Sequence, residues 1–356
     1  MKRKLSLSVA IMALVMVFAS CSQSVTPDAT TSATVSETTV ETSESTTETT
    51  KKELKPLDHE FNPHCLSEIY INKYGKEFEE DYYRYCDAIL SGADTVKCSK
   101  KQWLPLFRDI SRTYLPIANE YCYFFDEDIK AVGKDEYKLE YGLPKEEYLK
   151  KVEEFKARIE ELIERACFEG DTPFEMTLAL YKSEGLRISY DYDALGDNYS
   201  SPEGYGVSPY RTLMTDKGIC QEIAGAYAYL LMQVGVDAIT CSGLTKDSSA
   251  AHEWTLVKID GKYYHCDLTF QLNETATLRY FGMDDSQREK EGDWDMQYNN
   301  IGMTNDIWHK DLPIEDKRFE LLWTCISYCV DREKHMLRCY DSYDCTGELI
   351  VEVPLS

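Results

Sequence analysis

Two hydrophobic periods divide the chain. Tyr148, Val152, Phe155, Ile159 and Leu162 recur at helical spacing, while Lys150, Lys151, Glu153 and Glu154 fall off that stripe. An amphipathic helix is therefore predicted there, with Pro144 suited to its first turn. Leu66, Ile69, Tyr70, Tyr74 and Phe78 form an earlier stripe that Gly75 interrupts, and Trp103 to Phe125 continues in the helical manner. Residues 55–170 thus read as a helical N-terminal region whose aromatic stripes serve as core or inter-helix seams. Pro173 to about Lys182 predicts a short helix, and Asp193 to Ser208 a surface loop near the site described below.

The pattern then changes. Ile223, Tyr227, Leu230, Leu231 and Val234 predict a helix that opens near Cys220 and stops at Gly235. Its small residues, Ala224, Gly225, Ala226 and Ala228, suit a helix pressed closely on a sheet. His252 to Val257 and Tyr263 to Asp267 read as two strands joined by Asp260-Gly261, a pair fitted to a type I′ turn with positive φ at both positions. Arg279-Tyr280-Phe281 reads as a further strand. Segments around Leu321-Leu322-Trp323 and Leu349 to Val353 predict a small β-rich C-terminal segment, residues 311–356. The fold class is α+β, with a nucleophile helix on an antiparallel sheet across residues 171–310.

The turn has a chemical consequence. With two turn residues, Ile259 faces Lys262, Val257 faces Tyr264, and Trp254 faces Asp267. His252 then shares a sheet face with Trp254 and lies diagonal to Asp267, about 7–8 Å away at Cα. A one-residue slip would send His252 and Asp267 to opposite faces. Cys220, at a helix start, completes the parts of an activated thiol nucleophile: helix N–H groups and the dipole favour thiolate, an imidazole moves protons, and a carboxylate orients the ring. Backbone N–H groups at Cys220 or Gln221 are candidate oxyanion donors, and Trp254, Tyr205 and Tyr210 are candidate substrate contacts. For the two tyrosines, a structural role is the plainer reading. Cys220, His252, His265 and Cys266 can also be read as a metal set, but the register turns Cys266 away from His252. No metal or cofactor is expected.

The runs Gly218-Ile219-Cys220-Gln221-Glu222 and His252-Glu253-Trp254, with the Asp260-Gly261-Lys262-Tyr263 hairpin and Asp267-Leu268-Thr269, resemble the bacterial transglutaminase-like superfamily. The resemblance spans about Thr172 to Asp306. Leu268 stands where a proline is usual, and Glu253 adds a charge beside His252. It implies a papain-like core with Cys220 as nucleophile, His252 as general base and acid, and Asp267 as orienter. It implies acyl transfer from a peptide or protein amide through a thioester; hydrolysis is favoured over cross-linking because water is abundant and no amine-binding site is visible in the sequence. The reading from another class is a surface binding or scaffold protein with a vestigial triad.

Composition adds a setting. The formal charge of −24 argues against a nucleic-acid partner. Lys2-Arg3-Lys4 followed by apolar Leu5 to Ala19 reads as a signal segment (residues 1–21), and Ala19-Ser20-Cys21 as a lipid-attachment site, a plain secretory signal being the alternative. Residues 22–54 are rich in Thr and Ser and are expected to form a disordered tether. Together these place the protein outside the cytoplasm, lipid-anchored to a bacterial cell membrane, with cell-wall peptide as one candidate substrate. Of the 13 cysteines, most are expected as small buried side chains. Cys325, Cys329, Cys339 and Cys345 form the most credible disulfide or metal group.

Overall fold

The computed structural model describes residues 54–123, 129–196, 199–272, 276–296, 299–302, 304 and 306–355. The signal segment, Cys21 and all but the last residue of the tether lie outside the described residues. No helix among those described is long and apolar enough to cross a membrane.

The N-terminal region opens with α1 (Glu68–Tyr74) and α2 (Lys76–Leu90), which meet at Gly75 with φ 87°. The interrupted stripe is thus two helices, because a left-handed residue ends one and starts the next. The stretch from Trp103 also divides, into α3 (Trp103–Tyr114) and α4 (Pro116–Tyr121), since Pro116 lacks the N–H that would continue α3. Helix α5 (Lys145–Ala166) buries Tyr148, Val152, Phe155, Ile159 and Leu162 on one face, as the stripe predicts.

Short strands were not legible in this region. β1 (Thr95–Lys97), β2 (Cys122–Tyr123), β3 (Ala131–Gly133), β4 (Glu136–Lys138) and β5 (Glu140–Tyr141) form a sheet of order β1-β4-β3 and a β2-β5 pair. Elements of two or three residues are too short to show a period.

Next come α6 (Pro173–Arg187), β6 (Ser189–Tyr190), α7 (Pro209–Thr215), β7 (Lys217–Gly218) and α8 (Cys220–Gln233). The helix expected to end near Lys182 runs on to Arg187. Behind α8 lies an antiparallel sheet of order β10-β9-β8-β11, made of β8 (Ala238–Leu244), β9 (Ala251–Ile259), β10 (Lys262–Cys266) and β11 (Asn300–Ile301). Two short helices follow β10: α9 (Leu268–Gln271), which packs against α8 and α6, and α10 (Asp285–Lys290). The chain finishes in an antiparallel sheet of β12 (Ser327–Asp331), β13 (Met336–Tyr340) and β14 (Leu349–Pro354).

Two strand expectations are corrected. Residues 279–281 form a turn, closed by the Phe281 N–H bond to the Leu278 carbonyl at 3.1 Å, and Gly282 follows with φ 66°. Glu320–Thr324 is a 3₁₀ turn.

The buried side chains form one cluster that runs from Phe61 to Leu355. The helical region therefore shares a core with the sheet. The Tyr114 hydroxyl donates to the Ala238 carbonyl at 2.8 Å, and the Tyr70 hydroxyl donates to the Gly302 carbonyl.

Twelve cysteines are described, all as free thiols, and nine are buried. Cys325 contacts Cys339, and Cys329 contacts Cys345. Cys339 pairs with Tyr328, and Cys329 with Arg338, so the two pairs project from opposite faces of the terminal sheet. That arrangement does not gather four sulfurs around one ion.

Candidate active site

Helix α8 is held at its first turn by a buried charge network. The Glu222 carboxylate accepts the Ile219 N–H at 2.9 Å and the Ser208 N–H at 2.9 Å, satisfying donors that a helix start leaves free. Arg211 grips the same carboxylate through two nitrogens and reaches Asp191 at 2.6 Å. Gly218 is required by close approach: a Cβ there would lie 2.1 Å from Thr212 Oγ1. Cys220 follows, half-buried at the head of α8.

On the sheet, Asp260 and Gly261 have φ 48° and 82°, as a type I′ turn demands. Ile259 pairs with Lys262 and Val257 with Tyr264. The predicted register therefore holds, and it brings His252 Nε2 to 2.7 Å from Asp267 Oδ2. Asp267 caps α9, its Oδ1 accepting the Phe270 N–H at 3.1 Å. The Cys220 thiol lies beside the imidazole, close enough to raise its pKa. With Nε2 engaged by Asp267, Nδ1 is the nitrogen left for the sulfur.

Burial by itself would lower the His252 pKa, but the Asp267 charge and hydrogen bond and the adjacent Cys220 raise it to about 9. Asp267 is fully buried, which would raise its carboxyl; His252 and Arg288 hold it below its ordinary value instead.

Gln221 is half-exposed, and its side chain accepts from Arg112 Nη1 at 3.5 Å. Tyr205 packs edge-on against Tyr210, 5.3 Å between centroids. Trp254 and Tyr210 are corrected as substrate contacts. Trp254 is 1% exposed, and Tyr210 has no exposed surface and packs among Tyr121 and Phe155. Neither can reach a bound chain.

Four residues at the site escaped sequence reasoning. Tyr190 sits opposite Gly218 in the β6–β7 pair, with its hydroxyl against both the backbone and the thiol of Cys220. Arg112, from α3, makes a bidentate pair with Glu253 at 2.7 and 2.8 Å. Arg288 pairs with Asp267 at 3.0 Å, and Phe270 stacks on the His252 ring at 4.8 Å. Only Tyr190 carried a signal, as the Tyr190-Asp191 pair that follows α6.

One cluster has metal-ligand chemistry: His265 Nε2 and His309 Nε2 both meet Asp285 Oδ1, at 2.9 and 2.7 Å. The Trp254 indole N–H donates to His265 Nδ1 at 2.8 Å, so that nitrogen bears a lone pair and Nε2 bears the proton. A cation at Nε2 would force a proton onto Nδ1, against the indole N–H. Burial lowers the His265 pKa to about 4, in keeping with a neutral ring. The cluster is a hydrogen-bonded brace for Trp254. Cys220, His252, His265 and Cys266 do not gather into a site of their own among the described residues.

Residues 162–268 match the family model of the transglutaminase-like superfamily, a stretch that contains Cys220, His252 and Asp267. That part of the chain is a transglutaminase-like domain. No curated protein matches the chain. Among solved structures, a TGase is similar at 19% identity over 38% of this chain and 40% of its own, with a TM-score of 0.28. A protein from Cytophaga hutchinsonii, provisionally assigned as a cysteine protease, is similar at 17% identity over 26% of this chain and 30% of its own, with a TM-score of 0.21. The chain therefore spans less than half the length of either.

Proposed function

We propose that the protein is a surface-anchored cysteine acyl-transfer enzyme acting on peptide or protein amides, with hydrolysis favoured over cross-linking. The supporting observation is the meeting of Cys220, His252 and Asp267 from three separate elements, with the imidazole set between the sulfur and the carboxylate. His252 takes the thiol proton and forms an ion pair. The thiolate attacks the amide carbonyl, and imidazolium then protonates the leaving amine as the thioester forms. Water, activated by the now neutral His252, attacks the thioester and releases the acid. Asp267 fixes the ring tautomer throughout. The Cys220 N–H, now against the Tyr190 hydroxyl, is the oxyanion donor.

The test is thiol reactivity. Iodoacetamide is expected to label Cys220 at about pH 6 faster than an ordinary thiol, and His252→Ala to abolish the advantage. Equal rates in both proteins would remove the ion pair. Fast labelling without acyl-Cys220 on incubation with cell-wall peptides or unfolded proteins would favour the binding and scaffold reading.

A further inference from the structure

Arg288 and Asp267 both have completely buried side chains, and they meet at 3.0 Å on Asp267 Oδ2, the oxygen that also takes the His252 ring at 2.7 Å. The guanidinium lies 4.1 Å from the centroid of Trp254, 4.9 Å from Trp294 and 5.5 Å from Phe270. The same three rings flank the His252 imidazole. None of the three Arg288 guanidinium nitrogens makes a well-aligned hydrogen bond among the described residues, so its tie to Asp267 is an ion pair.

An arginine so placed is a costly way to fill space, because a buried cation without a full set of partners is disfavoured. Its position gives the reason. A thiolate, an imidazolium and a carboxylate together carry one excess negative charge in a site with little water. Arg288 cancels it.

We propose that Arg288 is a positioning residue acting through Asp267: it keeps that carboxylate ionised and neutralises it, so that the Cys220–His252 ion pair forms at lower pH. The proposal rests on the acyl-transfer reading. The other groups facing this knot are neutral or already paired. Glu253 is held by Arg112, and Glu291 by Arg279 at 3.0 Å. Burial pushes the Cys241 thiol up, leaving it protonated, and Asp285 is shared by His265 and His309. Arg288 is thus the cation that meets Asp267 beside His252.

The sign follows from charge. Without Arg288, every protonation at the centre becomes easier, so the imidazolium persists to higher pH. In Arg288→Met, His252 should titrate about one unit higher by NMR, and Cys220 alkylation at about pH 6 should slow roughly tenfold. Arg288→Lys, which keeps the charge, should lie close to the parent. A purely structural role would lower the rate equally at every pH, and that result, or an unmoved profile in folded Arg288→Met, overturns the proposal. If Arg288→Met fails to fold, Arg288→Gln removes the same charge and is held to the same outcomes. If the unmodified protein shows no enhanced labelling, the acyl-transfer reading falls. The His252 titration still decides the matter for Arg288, since an unshifted value in the variant refutes it.

Discussion

Asp267 is engaged on three sides: it hydrogen-bonds the His252 ring, accepts the Phe270 N–H and forms an ion pair with the Arg288 guanidinium. The consequence for His252 is a proton held to about 9, against an ordinary 6.5. Because the folded value is the higher one, this group contributes stability fully below about pH 6.5 and loses it as pH rises through about 9. Melting temperature should therefore fall across that window more steeply in the parent than in His252→Gln, and parallel pH profiles would refute the shift. The alkaline limb of activity is expected near the same upper value, where imidazolium disappears. Among these residues Cys220, His252 and Asp267 were legible, since a turn type and a period of two place the last two on one face. Arg288 was not: nothing in its local sequence distinguishes it from a solvated helix charge, and its partner lies on another element.

At the level of elements, the small residues of α8 were read as a surface for the sheet. The outcome is divided. Ala224 does face β9, its carbonyl taking the Thr255 hydroxyl at 3.0 Å. Gly225 instead faces α7, where an added Cβ would lie 2.5 Å from Pro209 Cγ. Gly225→Ala is therefore expected to destabilise the protein by about 1–3 kcal/mol through overpacking, despite the better helix propensity of alanine. A urea midpoint that stays level or rises would show that α7 gives way freely. Long helices with a clear stripe, α5 above all, were readable because burial on one side imposes a 3.6-residue period. The two- and three-residue strands between α2 and α5 carry no period and exist because neighbouring loops pair.

Across the whole molecule, the helical region and the β8–β11 sheet are joined beside the candidate site itself. Arg112 on α3 reaches Glu253, which is 5% exposed, and Gln221, so it touches the neighbours of both His252 and Cys220. Arg112→Ala would leave the Glu253 carboxylate buried without its partner, a loss of about 3–5 kcal/mol. Chemical denaturation should register it, and Arg112→Ala/Glu253→Gln should recover most of the loss. A single variant as stable as the parent would show that the pair is not needed. The chain's own pattern determined the α+β class, the nucleophile helix, the hairpin register and the residues that meet across it, because each follows from a local period or a turn that only certain residues can make. Tertiary structure alone decided the packing of α3 against α8, the brace behind Trp254, and the burial of Arg288 against Asp267. Those depend on which surfaces press together, and a charge's partner or a ring's neighbour is set by packing between segments far apart in the chain.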